Sequence, residues 1–313
     1  RLKVWRLPEG GPTTRGRPVV NLLPALDKDE TIATVLPLPE DEAEWGKLSV
    51  VFATAKGNVR RNSMDAFANI PSNGKFAMKF DADEDGTPNT DRLIGVALLE
   101  ASDDVLLATR SGKAIRFAGD EVREFTSRTS TGVRGMSLKG DDEVISLSIL
   151  HRVGATPDER EEYLRFAPWK GEKEGEMADQ ERYAFMAERE QFILTVCANG
   201  YGKMSSAFEY RRTGRGGQGI TNIDNIGRNG PVVASFPASQ ADQLMLVTDQ
   251  AKLIRLPLAS LRVIGRGSAG VRLFTVADSE HVVSAVRLAE DTEGGDEIEV
   301  AVDDAEAGEA APE

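Results

Sequence analysis

Five glycines, Gly16, Gly74, Gly132, Gly219 and Gly270, are each followed by a short run that reads as a strand, over residues 17–22, 75–80, 133–138, 220–223 and 271–276. Their spacings are 58, 58, 87 and 51 residues. Repetition at this scale limits the fold to an array in which each unit buries its faces against the next. Ahead of the markers lie paired apolar runs joined by turn residues. Examples are 47–54 and 59–62 around Ala55-Lys56-Gly57-Asn58, and 104–109 and 114–117 around Arg110-Ser111-Gly112-Lys113. Later cycles use 191–197 with 232–236, and 243–248 with 253–256 and 281–288, while 143–150 closes an earlier one. Strands are also predicted at 2–7, 18–23 and 31–36.

The long interval holds an insertion. Residues 152–189 lack strand alternation and are rich in Glu, Lys, Arg, Met and Ala, so helices are predicted at 158–164 and 178–188. Without the insertion the period is common to all units. About four strands per unit implies blades, each sheet buried on both faces. Runs such as Ser49-Val50-Val51-Phe52-Ala53, which do not alternate, fit that burial.

The net charge of −13 weighs against a polyanionic partner until its distribution is read. Eleven acids and no base lie in 290–313, so the rest of the chain carries −2. The segment 151–190 carries −4, which leaves about +2 for the repeats. The acidic end reads as a solvated, disordered tail able to compete with an anionic ligand for basic sites. The basic residues near turns and markers are Arg15, Arg17, Arg60, Arg61, Lys75, Lys113, Arg116, Arg128, Arg134, Lys203, Arg211, Arg212, Arg215, Arg255, Arg266 and Arg272. The densest stretch, Tyr210 to Gly219, holds three arginines and four glycines. Equivalent places in successive blades lie at one height, so periodic charge becomes a curved basic track. Such a track suits the phosphates of a bent duplex, read without regard to base. Few aromatics lie among these cations, which disfavours stacking on single strands.

Enzymatic motifs are missing. His151 and His281 stand in different units, and there is no metal-protease, dithiol or serine-elbow pattern. Residues 81–86 begin like a calcium loop, but Arg92 occupies the twelfth position where a bidentate Glu is needed, so they read as an acidic connector. The single cysteine, Cys197, sits in an apolar run and reads as a buried thiol in a reducing cytoplasm. No apolar run is long enough to span a membrane. The chain begins at Arg1 rather than Met and reads as a fragment.

Several strings resemble the C-terminal domain of bacterial DNA gyrase A. They are Thr14-Arg15-Gly16-Arg17-Pro18-Val19-Val20-Asn21-Leu22-Leu23-Pro24, Gly132-Val133-Arg134-Gly135 with Asp142-Glu143-Val144-Ile145-Ser146-Leu147, Asn199-Gly200-Tyr201-Gly202-Lys203, Ile264-Gly265-Arg266 through Gly270-Val271, and the acidic tail. The resemblance implies an all-β, six-bladed propeller of the β-pinwheel type over 1–289, incomplete at its N-terminus, with hairpins exchanged between blades and the tail at 290–313. It implies a non-catalytic module that wraps duplex DNA and directs negative supercoiling. The parent would be an ATP- and Mg²⁺-dependent type II topoisomerase in which gyrase A, with its breakage-reunion domain, joins gyrase B in a heterotetramer. The catalytic tyrosine would lie in that other domain, and this fragment would be monomeric and free of cofactors. Arg215-Gly216-Gly217-Gln218-Gly219 is similar to the family's gyrase-A box, with Gln218 replacing its basic residue, but lies in a later unit. Alternatives are the corresponding C-terminal domain of topoisomerase IV, which binds DNA and wraps it less, and a propeller scaffold for protein partners.

Overall fold

The structure, a computed structural model, describes residues 2–11, 14–23, 26, 30, 32–71, 74–80, 89–171, 175–224 and 227–289. The first sheet-forming unit supplies β1 (Ser49–Thr54), β2 (Asn58–Ser63) and β3 (Leu93–Leu99). The second supplies β4 (Asp103–Thr109), β5 (Lys113–Ala118), the two-residue β6 (Val133–Arg134) and β7 (Val144–His151). The third supplies β8 (Phe192–Cys197), β9 (Tyr201–Ser206), β10 (Ile220–Thr221) and β11 (Val232–Ala238). The fourth supplies β12 (Gln243–Thr248), β13 (Leu253–Pro257), β14 (Val271–Arg272) and β15 (Val282–Leu288). In each unit the first strand is central, pairing antiparallel with both the second and the last; Val51 of β1, for instance, faces Arg61 on one side and Ala97 on the other.

The short marker strand leaves its own unit. Strand β6 pairs with β2 of the preceding unit, with Val133 opposite Val59, while β10 pairs with β5 and β14 with β9. The sheets are therefore ordered β3-β1-β2-β6, β7-β4-β5-β10, β11-β8-β9-β14 and β15-β12-β13. This is the form taken by the exchange between blades that the resemblance implies. Last strands pack on one another in succession, β3 on β7, β7 on β11 and β11 on β15. Three further hydrogen bonds recur between neighbouring units: Val144, Val232 and Val282 each donate a backbone N–H to the turn carbonyl of Ala55, Arg110 and Ala198.

The marker glycines are explained by this hand-over. Gly132, Gly219 and Gly270 have φ of 94°, 73° and 79°. A Cβ there would lie 2.1, 2.4 and 2.6 Å from the backbone oxygens of Val59, Ala114 and Gly202, on the sheet that receives the strand. Only glycine meets both demands.

Central strands explain the unbroken apolar runs. In β4, Val105 and Leu107 join a core with Val51, Leu99 and Phe117, while Leu106 and Ala108 face Leu150, Ile193 and Tyr210. A third core joins Leu194, Val196 and Met204 to Leu244, Leu246 and Val282.

Among the described residues four blade-like sheets stand where six blades are expected. The reason lies in the central strand, which begins 25 to 29 residues before its marker glycine in every sheet. Gly16 has only fifteen residues ahead of it, so its unit holds no counterpart of that strand within this sequence. Among the described residues the runs predicted as strands at 2–7, 18–23 and 31–36 form no strand. Single 3-10 turns form at Val4–Arg6 and Val19–Asn21, and Val4, Trp5, Val20 and Val35 are exposed. The run 75–80 is also without strand structure. Two real strands lie outside the predicted set: β3, an apolar run with no predicted element, and β9, hidden by the polar Tyr201-Gly202-Lys203. The remaining markers form strands of two residues rather than four to six, because only the first residues after the glycine reach the receiving sheet.

The insertion folds as expected into α1 (Pro157–Phe166) and α2 (Gln180–Glu188). Thr156 and Glu159 form a reciprocal cap at the start of α1. Tyr163, Ala167, Met177 and Met186 pack with Phe208, at the end of the third unit's hairpin. Glu190 accepts from Tyr163 Oη at 2.6 Å, Trp169 Nε1 at 3.0 Å and Ser206 Oγ at 2.6 Å, and so ties the insertion to that hairpin. Burial raises the Glu190 carboxyl above its ordinary range, although these donors oppose the rise. The predicted calcium-like loop at 81–86 and the tail at 290–313 lie outside the described residues.

Two substitutions test the strand hand-over. Gly132→Ala is expected to cost about 2–4 kcal/mol in urea unfolding, since strain at positive φ adds to a collision with backbone. Gly74→Ala, with φ of 84° but open space around it, is expected to cost only about 1 kcal/mol. Equal costs would show that the collision does not matter.

Candidate nucleic-acid interface

Each donated strand forms the outer edge of a sheet, and an exposed cation stands at each such junction, on the donated strand in the first and third sheets and on the receiving strand in the second. On the first sheet it is Arg134, opposite Asn58. On the second it is Lys113, whose Nζ donates to Thr221 Oγ1 at 3.1 Å across the β5–β10 pair. On the third it is Arg272, which donates to Tyr201 Oη at 2.9 Å and lies 5.4 Å from the ring centre. That bond lowers the Tyr201 phenol from its ordinary value. Arg228, absent from the sequence-based set, lies 5.0 Å above the same ring.

A second set of arginines has an internal job. Arg128, Arg215 and Arg266 each stand four residues before a marker glycine. Each donates to the carbonyl of the residue two after the preceding marker: Arg128 to Phe76 at 3.3 Å, Arg215 to Arg134 at 3.0 Å, and Arg266 to Thr221. Glu121 and Glu209 support the last two in the same manner. Each accepts a backbone N–H from its arginine through the carboxylate and a side-chain N–H through its own carbonyl. These arginines link one outer edge to the next.

Arg60 and Lys203, three residues after the turn glycines Gly57 and Gly200, are fully buried. Arg60 donates to the carbonyls of Arg128 at 2.7 Å, Ser130 at 2.6 Å and Ala77, and its guanidinium lies 4.7 Å from the Phe52 ring centre. Lys203 donates to the carbonyls of Gly265 at 3.0 Å and Arg266. Burial lowers Arg60 to about 10, helped by repulsion from Arg128, and lowers Lys203 to about 7. Both hold the loop that leads into the donated strand, and neither reaches the surface. The sequence pattern groups them with the track because a cation near a turn is normally exposed.

The other predicted residues fall into three groups. Arg116 is largely buried against Asp104 at 2.9 Å. Lys75 donates to the carbonyls of Ala66 at 2.8 Å and Asn69 at 3.1 Å, bracing its own turn, and Arg61 is half-buried on β2. Arg211 and Arg212 are exposed beside Arg215, Arg255 is exposed on β13, and Arg15 and Arg17 are exposed in the segment that forms no sheet. The structure thus gathers Lys113, Arg134, Arg211, Arg212, Arg215 and Arg272 onto outer edges and the loops leading to them. His151 Nδ1 lies 2.9 Å from Asp103 and His281 Nδ1 3.4 Å from Asp249, so both imidazoles have carboxylate partners. No cluster of three or more potential metal ligands occurs among the described residues, and no helix there is long and apolar enough to cross a membrane. Cys197 is buried, and burial pushes its thiol up to about 12.

Repeated sheets that exchange outer strands and carry cations where those strands dock define a blade-built β domain suited to polyanions. Residues 1–39, 49–98, 103–151, 191–239 and 242–289 match the family described as DNA gyrase C-terminal domain, beta-propeller. The chain belongs to that family. It is 47% identical over 322 aligned positions to the DNA gyrase A protein of Granulibacter bethesdensis, covering 95% of this chain and 33% of that protein. The corresponding protein of Rickettsia bellii is 45% identical over 95% of this chain and 33% of its own length. The chain spans about a third of the length of these curated relatives. In fold it is similar to a crystal structure of the C-terminal domain of DNA topoisomerase IV (TM-score 0.66, 18% identity, 88% of this chain and 71% of that one). It is also similar to a structure of the DNA gyrase A C-terminal domain (TM-score 0.57, 20% identity, 83% and 75%). The family match passes over the insertion between 151 and 191.

The buried lysine gives a pH prediction. From about pH 7 up to the ordinary lysine range, the unfolded chain binds a proton at Lys203 that the folded chain does not, so stability rises with pH. Urea unfolding near pH 7 and near pH 9.5 is expected to show a gain on the order of 2–3 kcal/mol from this group. Lys203→Met is expected to lack that gain; an unchanged pH slope in the variant would assign the rise to other groups.

Proposed function

We propose that this chain binds duplex DNA along the outer edges of its sheets and bends it across successive blades. The observation that carries this is the recurrence of an exposed cation where a donated strand meets its receiving strand in three consecutive sheets: Arg134 and Arg272 on the donated strands, and Lys113 on the receiving strand β5 opposite Thr221. Membership of the gyrase family and kinship with DNA gyrase A sequences support it. Phosphate contacts release counterions, which offsets a bending cost of several kcal/mol by elastic estimates. Nothing on these edges offers the deep, patterned donor set needed to read bases, so recognition is by backbone and shape.

In this reading the fragment is a non-catalytic wrapping module that directs negative supercoiling, located in the bacterial cytoplasm. The longer protein supplies the breakage-reunion domain and joins gyrase B, and ATP and Mg²⁺ act in those other parts. Kinship with DNA gyrase A favours gyrase over topoisomerase IV.

Fluorescence anisotropy with a short labelled duplex tests the reading. Affinity is expected to fall steeply between low and moderate salt, by about tenfold or more per doubling if several phosphates are neutralised. The triple variant Lys113→Ala, Arg134→Ala, Arg272→Ala is expected to bind more weakly and to lower the salt slope by about three. Its unfolding midpoint should stay within about 1 kcal/mol of the parent chain, because these side chains are exposed. Salt-independent affinity, or full affinity in the triple variant, would refute the edge track. Plasmid relaxation with the domain bound should shift the linking number if the DNA is wrapped.

A further inference from the structure

The insertion does more than rest on the third unit's hairpin. Between it and the second sheet lies a cleft of about 370 Å³ into which Arg116, Arg152, Arg160 and Arg212 converge. Arg116 comes from β5, Arg212 from the arginine-glycine stretch, and Arg152 and Arg160 from the insertion itself. Their neutralisation is incomplete. Asp104 is buried and fully used: one carboxylate oxygen accepts from Arg116 Nε at 2.9 Å, the other from Arg152 Nε at 3.0 Å. Asp120, exposed, lies 3.8 Å from Arg152. No hydrogen bond or ion pair among the described residues engages the guanidinium of Arg160 or Arg212.

Arg160 stands on a helix that is itself fixed in place. It is half-buried on α1, three residues before the buried Tyr163, and the helix is pinned by its cap and by the Glu159–Arg182 pair at 2.8 Å. Burial, then repulsion from Arg211, lowers its guanidinium from the ordinary value, while Glu161 acts in the opposite sense. Arg116 is lowered too, first by burial, against the pull of Asp104 and with added repulsion from Arg212 and Arg160. Guanidinium groups brought this close around one carboxylate repel each other unless an anion joins them. Planar N–H forks facing an open cleft match the oxygens of a phosphate.

We propose that this cleft is a phosphate-binding site assembled by the insertion, with Arg160 and Arg212 as the ligand-contacting arginines and Arg116–Asp104–Arg152 as the frame that positions them. Two sources could present the phosphate: the backbone of a duplex leaving the outer edges, or a small free polyphosphate. The site rests on the DNA reading only in the first case.

The test uses the full chain with inorganic pyrophosphate and a short duplex as probes. Arg160→Gln and Arg212→Gln leave Asp104 and its two partners intact and are expected to keep the parent's circular dichroism and unfolding midpoint. Pyrophosphate is expected to bind in calorimetry, and each variant to weaken it about tenfold. If duplex competes with pyrophosphate, or if only duplex binding is weakened by the variants, the source is the DNA backbone. If pyrophosphate binds alongside duplex, or binds when duplex does not bind at all, the site takes a free anion and stands without the DNA reading. If both probes bind the double variant as they bind the parent chain, or neither probe binds the parent chain, the inference is wrong.

Discussion

Everything in this fold depends on the backbone hand-over at the outer edge. A sheet of three strands leaves both outer strands, here the second and the last of each unit, with a row of unpaired N–H and C=O groups. Here the second-strand edge of the first, second and third sheets is closed by two residues from the following unit. The receiving turn joins in: the carbonyls of Gly57, Gly112 and Gly200 each accept two N–H groups from the residues that follow the donated strand, Gly135 and Met136, Asn222 and Ile223, Leu273 and Phe274. No unit is complete by itself, so the units stand or fall as neighbours. Glycine at the marker is a steric requirement of that approach, and the spacing of the markers records the size of the unit.

The same hand-over sorts the cations. A chain that must pass from one sheet to the next needs its connecting loop held, and the donors available are long basic side chains. Arg60 and Lys203 grip carbonyls from within, while Arg128, Arg215 and Arg266 grip the previous edge from outside. Only then come Arg134 and Arg272 on the edge strands, and Lys113 on the strand beside one, all three exposed. The turns that need internal donors are the turns that present the edge, so structural and ligand-facing arginines are neighbours in sequence.

That adjacency decides how much of the domain is legible in its sequence. Marker glycines, hairpin turns and both insertion helices are legible, because each is governed by local rules of φ, turn chemistry or helix propensity. The blade count is not. It depends on whether a unit contains its central strand, and the resemblance carries a count of six onto a chain that holds four such strands. The destination of the marker strand is available only through the resemblance, since pairing with the preceding unit leaves no local mark. Burial of Arg60 and Lys203 is illegible for a similar reason: their backbone acceptors are carbonyls 62 to 70 residues away, apart from Ala77 at 17, and only the Asn62 side chain accepts from Arg60 locally. The one signal that separates them from the exposed cations is their fixed offset of three from the turn glycine.

The insertion then raises a question of charge rather than of fold. Residues 151–190 carry −4, which suggests an element that repels DNA from the rim. The folded insertion divides that charge unevenly. Glu159 is committed to Arg182, Glu190 is half-buried and accepts from three donors, and Glu162 accepts the N–H of Ala178 within the insertion. Arg152 and Arg160, by contrast, face the second sheet, where Arg116 and Arg212 already stand. An element that is acidic on average therefore adds positive charge at its contact with that sheet. Net charge describes how the domain behaves at distances beyond the Debye length, and the cleft describes what it can hold within it.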